Sequence, residues 1–219
     1  MNSIVNEIAN FSRLYKEATI GFVPRDNKTI VQIFPSSYVS LIELSIPNQL
    51  SIKEPFYISN KQIDTITKIF RNKPAEFIYT DEGKQLLIKD GRKTLSIKVN
   101  DYSGFNIDYD PPFKFSINKN DLNEIVNDSF DDYMTITFSK NVLRYEITDE
   151  KTAKLTGYIN IDYEGDDYTI KLNAKFFSIV RGAKGNLINV HFIENKPIQF
   201  RGKVNDEIEY KMTIALMAD

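Results

Sequence analysis

A single succession of elements occurs twice along this chain: helix, strands, helix, strands. In the first half, Ile4, Val5, Ile8, Phe11, Leu14 and Tyr15 fall at helical spacing within Ser3–Ala18, with Ser3 placed to cap the helix. Runs of strand character follow at Ile20–Val23, Thr29–Phe34, Tyr38–Ile46 and Phe56–Ile58, separated by Asp26-Asn27 and Pro35-Ser36. Ser59 or Asn60 caps a second helix, Lys61–Lys73, with Ile63, Ile66, Ile69 and Phe70 inward and its end ahead of Pro74. Strands Glu76–Thr80, Gln85–Lys89 and Thr94–Val99 complete the half through hairpin turns at Asp81-Glu82-Gly83 and Asp90-Gly91.

Asn100–Pro112 breaks the pattern with a Gly, paired Pro and no helical period, as a linker does. The series then restarts. Phe113–Ile117 is a strand, and Asn118 or Asn120 caps a helix, Lys119–Asp132, with Leu122, Ile125, Val126 and Phe130 on one face. Strands are expected at Tyr133–Ser139, Val142–Thr148, Lys154–Ile161 and Tyr168–Leu172. Asn173 caps a fourth helix, Asn173–Gly185, with Ala174, Phe177 and Val180 inward; Leu187–Ile193, Ile198–Val204 and Glu209–Leu216 close the chain as strands. The halves run to about 105 residues each, far above the ~20–50 of a solenoid unit. A whole domain is therefore repeated: 1–104, a linker 105–112, and 113–219. Two helices on one face of a β-sheet in each half place the chain in the α+β class.

Composition removes several kinds of chemistry. There is no cysteine, so disulfides, thiolate zinc sites and cysteine nucleophiles are excluded. A single histidine, His191, excludes a histidine-rich metal site, and any Ser-His-Asp triad would have to use it. The sequence holds 42% hydrophobic and 26% charged residues, enough apolar surface for a packed core. No apolar run approaches the ~18 residues of a membrane span. Met1-Asn2-Ser3-Ile4 offers no basic region ahead of an apolar stretch, so no signal peptide is expected and the expected compartment is the cytoplasm.

Net charge is −2, with a sequence pI near 5.6. A simple DNA-coating protein would be basic overall, so a nucleic-acid surface here requires uneven charge. That unevenness is present. Helix two holds Lys61, Lys68, Arg71 and Lys73 against Asp64, and helix four holds Lys175, Arg181 and Lys184 with no acid, +3 in each case. Helix one, with Arg13 and Lys16 against Glu7 and Glu17, is neutral. Helix three and its end set Lys119 against Asp121, Glu124, Asp128, Asp131 and Asp132, a net of −4. Basic helix faces attract phosphates in a sequence-independent, salt-sensitive way; a plainly solvated face is the alternative.

Phe34-Pro35-Ser36-Ser37-Tyr38-Val39-Ser40-Leu41-Ile42-Glu43-Leu44 closely resembles a stretch in the first domain of the sliding clamps, the family of proliferating cell nuclear antigen and the clamps of T-even-like phages. Ser59–Phe70 resembles the second clamp helix, Asn195-Lys196-Pro197-Ile198 the start of a late strand, and Tyr210–Asp219 the terminal strand of the phage clamps. The resemblance spans essentially the whole chain. It implies a DNA-clamp fold and a closed homotrimeric ring, with helices lining the hole, sheets outside and double-stranded DNA passing through. It implies no catalysis and no cofactor: a processivity factor that tethers DNA polymerase, is placed by a clamp loader, and here belongs to a phage or other virus in the host cytoplasm or nucleoid. The hole-facing residues would be Arg13, Lys16, Lys61, Lys68, Arg71, Lys175, Arg181 and Lys184, which position a duplex without reading sequence. Acidic helix three departs from a basic lining. By the same resemblance, partner peptides ending in aromatics dock at Phe34, Tyr38, Leu41, Phe105, Ile107, Pro197, Ile214 and Leu216. Phe105 and Ile107, apolar in a polar linker, equally suit pinning it to its own domain. Ring closure would pair Val142–Thr148 of one subunit with Glu76–Thr80 of the next.

Two other readings stay open: a monomeric or dimeric processivity subunit that holds DNA on one basic face, and an α+β enzyme with a site near His191 or the acidic loop at Asp162, Glu164, Asp166 and Asp167. That loop lacks EF-hand spacing and reads as a solvated hairpin. Gly182-Ala183-Lys184-Gly185 follows a helix instead of a strand and lacks the phosphate-loop pattern.

Overall fold

In a computed structural model, residues 2–37, 39–47, 52–70, 75–80, 84–105, 109–128, 133–148 and 153–217 are described. They form two compact units: residues 1–107 with 205–209, and 108–204 with 210–219.

In the first unit, helix α1 (Asn2–Ser12) precedes an antiparallel meander, β1 (Thr19–Arg25), β2 (Lys28–Phe34) and β3 (Ser40–Pro47). Strand β4 (Phe56–Ser59) pairs with the far side of β1 and leads into helix α2 (Asn60–Ile69). A second meander follows, β5 (Glu76–Thr80), β6 (Gln85–Lys89) and β7 (Thr94–Lys98); a two-residue strand, β8 (Asn100–Asp101), then pairs with β4. The helices pack on each other, and α1 also packs on β2 and β3. Ile4, Ile8 and Phe11 of α1 and Ile63 and Ile66 of α2 are buried, which is why apolar residues recur every three or four positions.

The second unit repeats this order. It comprises β9 (Phe113–Asn118), α3 (Lys119–Asp128), the meander β10 (Tyr133–Ser139), β11 (Val142–Thr148) and β12 (Lys154–Asn160), then β13 (Tyr168–Asn173), α4 (Ala174–Phe177) and strands β14 (Leu187–His191), β15 (Ile198–Lys203) and β16 (Glu209–Ile214). The first meander joins with the following strand in the order β12-β11-β10-β13, the counterpart of β3-β2-β1-β4. β10 and β11 alternate buried and wet positions along most of their length, as a sheet with one face on a core requires. Strands β16, β15, β14 and β9 form the other sheet segment. The α+β architecture read from the repeat is present in both units.

Several boundaries differ from expectation. Helix α1 ends at Ser12, short of Ala18, in turns through Leu14 and Tyr15 that bury the Tyr15 ring. Helix α2 ends at Ile69; Arg71 and Lys73 lie outside the described residues, as do Asp131, Asp132 and Phe130 beyond α3 and the Asp81-Glu82-Gly83 turn. The fourth helix is α-helical only from Ala174 to Phe177 and continues as a 3₁₀ turn, Ser178–Gly182. Its inward residues explain this. Ala174, Phe177, Val180 and Ala183 recur at intervals of three, and all are buried. A three-residue spacing stays on one line only at three residues per turn.

The caps match the chemistry of their residues. Ser59 Oγ accepts from the Gln62 amide at 3.3 Å, and the Gln62 side chain accepts from the Ser59 amide at 2.8 Å, a complete capping box. Asn173 Oδ1 accepts from the Lys175 amide at 3.0 Å.

Candidate nucleic-acid interface

On the first unit, Arg13, Lys16, Lys61 and Lys68 all carry exposed side chains on or beside the α1–α2 pair. Lys61 and Lys68 stand two turns apart on one side of α2, with Asp64 between them and Ile63 and Ile66 facing inward. Arg13 does not project alone. Its guanidinium reaches the Asp64 carboxylate at 2.8 Å, tying the end of α1 to α2. Arg13 is exposed and Asp64 half-buried, so solvent still screens the pair and it serves geometry more than stability. Asp64 thus offsets one cation of the stripe.

On the second unit, the 3₁₀ winding changes the expected arrangement of charge. Lys175, Ser178, Arg181 and Lys184 recur at the same three-residue interval as the buried line. Only Ser178 and Arg181 of this series lie within the 3₁₀ turn; Lys175 belongs to α4, and Lys184 follows the extended residue Ala183 that ends the turn. Arg181 donates to Val126 O at 3.3 Å and to Asn127 Oδ1 at 3.2 Å, so it caps the C-terminal end of α3. A cation at that end also opposes the negative pole of the helix.

The acidic residues of α3 do not form one exposed patch. Asp128 accepts from the Tyr145 hydroxyl at 2.7 Å and is drawn towards β11; burial first, and then that carboxylate, push the Tyr145 hydroxyl pKa up. Asp121 is half-buried and Glu124 exposed.

The residues expected to receive partner peptides divide between the units. Phe34 and Leu41 in the first unit and Ile214 in the second are core side chains. Phe105, Pro197 and Leu216 are half-buried; Tyr38 and Ile107 lie outside the described residues. The Phe105 ring meets Phe34 edge-on at 4.7 Å, and Tyr102 stacks on Phe34 at 6.0 Å.

His191 sits in β14 with Nδ1 3.0 Å from Pro111 O, a contact that places the ring proton on Nδ1. Its ring meets Phe113 edge-on, and burial holds its pKa below the usual histidine value. A void between Val5, Ile66 and Phe77 and an open groove of about 420 Å³ along Arg144, Gly157 and Tyr158 both lie away from it. In the acidic loop the Tyr163 hydroxyl donates to Asp166 O at 2.9 Å, and among the described residues no group of three or more acidic or histidine side chains could hold a metal ion.

Strand order corrects the expected ring-closing strand. Val142–Thr148 is β11, paired with β10 on one side and β12 on the other, so it has no open edge. Within that sheet the outer strands are β12 and β13, and Tyr158 of β12 is 73% exposed beside the Arg144 groove. Sequence reading missed this because a strand's neighbours depend on pairings its own residues do not encode. In the first unit, β5 and β7 are the outer strands of their sheet.

No protein-family model matches the sequence, and no curated protein matches it. Solved structures do. Proliferating cell nuclear antigen of A. fulgidus, solved with the C-terminal region of FEN-1, superposes with a TM-score of 0.74 at 14% identity, over 100% of this chain and 96% of that one. The Thermococcus kodakaraensis protein superposes at 0.73 and 13%, over 98% and 96%. The DNA polymerase sliding clamp of Pseudomonas aeruginosa superposes at 0.82 and 10% identity, over all of this chain and 65% of that longer one. The fold is the sliding-clamp fold. The overlap is near-complete in both chains for the two proliferating cell nuclear antigens.

Proposed function

We propose that this chain is a DNA polymerase sliding clamp, a phage or viral processivity factor that closes as a homotrimer around duplex DNA. The observation that carries this reading is the superposition of nearly the whole chain on nearly the whole of two proliferating cell nuclear antigens. Exposed cations on both units, Lys61 and Lys68 on α2 and Lys175 and Arg181 on and after α4, with the half-buried Lys184, support it. Residues 1–104 and 113–219 act as the two clamp domains, joined by 105–112. These cations, with Arg13, Lys16 and Arg71, hold the phosphate backbone loosely. Contacts that ignore base identity allow sliding. The protein does no chemistry and needs no cofactor. It works in the cytoplasm, where a clamp loader places it on DNA and polymerase docks by a peptide; among the described residues, no helix is long and apolar enough to cross a membrane. Phe105 on the first unit and Pro197 and Leu216 on the second are half-buried and are proposed docking residues, as are Tyr38 and Ile107.

Ring closure uses β12 as the open edge on one subunit and an outer strand of the three-stranded β5-β6-β7 sheet on the next. Light scattering across a concentration series tests the reading. A species near three times 25.3 kDa is expected. A monomer at every concentration would favour a processivity subunit that holds DNA on one basic face.

A further inference from the structure

Strand β2 contains a buried polar residue in an otherwise apolar run: Gln32, 2% exposed, between Val31 and Ile33. A buried amide is costly unless its hydrogen-bonding groups are used. Gln32 uses them on the segment that follows β8. Its Nε2 donates to Phe105 O at 2.8 Å and to Glu43 Oε1 at 3.0 Å. Its Oε1 accepts from the Phe105 amide at 2.9 Å and from the Tyr102 hydroxyl at 2.9 Å.

Residues 102–105 belong to no strand. A single side chain takes the place of a neighbouring strand, binding both backbone groups of Phe105. The turn that allows this is made by Gly104, whose φ of +77° favours glycine and whose added Cβ would lie 3.3 Å from Val23. Tyr102 lies flat over Gly21, where a Cβ would come within 2.1 Å of the ring. The result is a short strap across Phe34, with the Phe105 ring edge-on to it.

We propose that residues 102–105 are a releasable strap latched by Gln32, in which Phe105 occupies a place on Phe34 that an aromatic side chain of a partner peptide takes when the strap lifts. The chemistry of the occupant is read from the strap itself: the surface already accepts a phenyl ring edge-on. Release breaks the Gln32 bonds and the ring contacts of Tyr102 and Phe105 with Phe34 and Tyr57, but no strand pairing, because 102–105 belong to no strand. The purpose of the strap rests on the partner-docking part of the clamp reading; the latch does not.

The test uses the full chain and Gln32→Leu, which keeps bulk and removes both backbone bonds. Amide hydrogen exchange should quicken at Phe105 by about tenfold or more, the loss of a buried hydrogen-bonded group, while β1, β2 and β3 keep their protection. The apolar aromatic dye 1-anilinonaphthalene-8-sulfonate should bind the variant more than the parent, and Phe105→Ala should also gain dye with its fold retained. Exchanging the pair, Gln32→Glu with Glu43→Gln, restores the acceptor for the Phe105 amide and should restore most of its protection. Unchanged exchange at Phe105, equal acceleration across β1–β3, or faster exchange without dye binding in either variant would each overturn the proposal. The native mass of the same variants reports separately on ring formation, so failure of the latch and failure of the trimer are distinguishable.

Discussion

At the residue scale, most polar side chains of interest join segments distant in the chain, and their energetics can be checked singly. Tyr145→Phe removes the hydroxyl that Asp128 accepts from. It should lower unfolding stability by about 1–2 kcal/mol, the usual cost of stranding a partly buried acceptor, read as a shift in urea midpoint. His191 carries a pH dependence of definite sign. Burial depresses its folded pKa, with Pro111 O and Asp110 opposing and Arg201 reinforcing that shift. The unfolded chain therefore takes up this proton first. The stability is fully present above the ordinary histidine value of about 6.5 and declines as pH falls towards the lower folded value. His191→Gln, which can still donate to Pro111 O, should reduce the difference in urea midpoint between about pH 7.5 and about pH 5.5.

At the element scale, Lys61 and Lys68 share one side of α2, while Lys175 and Arg181 are exposed on α4 and the 3₁₀ turn that follows it. Lys61→Glu with Lys68→Glu should weaken association with duplex DNA and flatten its salt dependence, since each lost phosphate contact lowers the log–log salt slope by about 0.9. Lys175→Glu with Lys184→Glu should do the same from the other unit. The oligomeric mass should not change in either variant. Arg181 is less suitable for such a test because it also holds the end of α3. Unaltered DNA affinity by fluorescence anisotropy in both double variants would remove these cations from the interface.

At the scale of the whole molecule, the proposed ring closure makes the outer strands the place to test assembly. Tyr158→Asp places a charge on the exposed edge strand β12 without touching the buried Ile159 beside it. Charged edges resist strand addition, so this variant should run as a monomer in light scattering while its circular dichroism stays that of the parent. A substitution at Leu143, buried in β11, should instead lower stability in proportion to the apolar volume removed.

Much of this architecture is legible in the amino-acid order. The repeat, the inward faces of the helices, the caps Ser59 and Asn173 and the clustering of cations all arise from spacings of a few residues, where local geometry determines which side chains share a face. Tertiary structure alone decided the rest. Arg13 and Asp64 are 51 residues apart, and Gln32 and Phe105 are 73 apart. The position of β11 inside its sheet, with β12 at the edge, likewise follows from pairing between strands. Even the three-residue repeat of Ala174, Phe177, Val180 and Ala183 is compatible with a regular helix until a core demands all four at once. Local periodicity is written in neighbouring residues, whereas pairing, edges and latches are settled by which distant surfaces bury one another best.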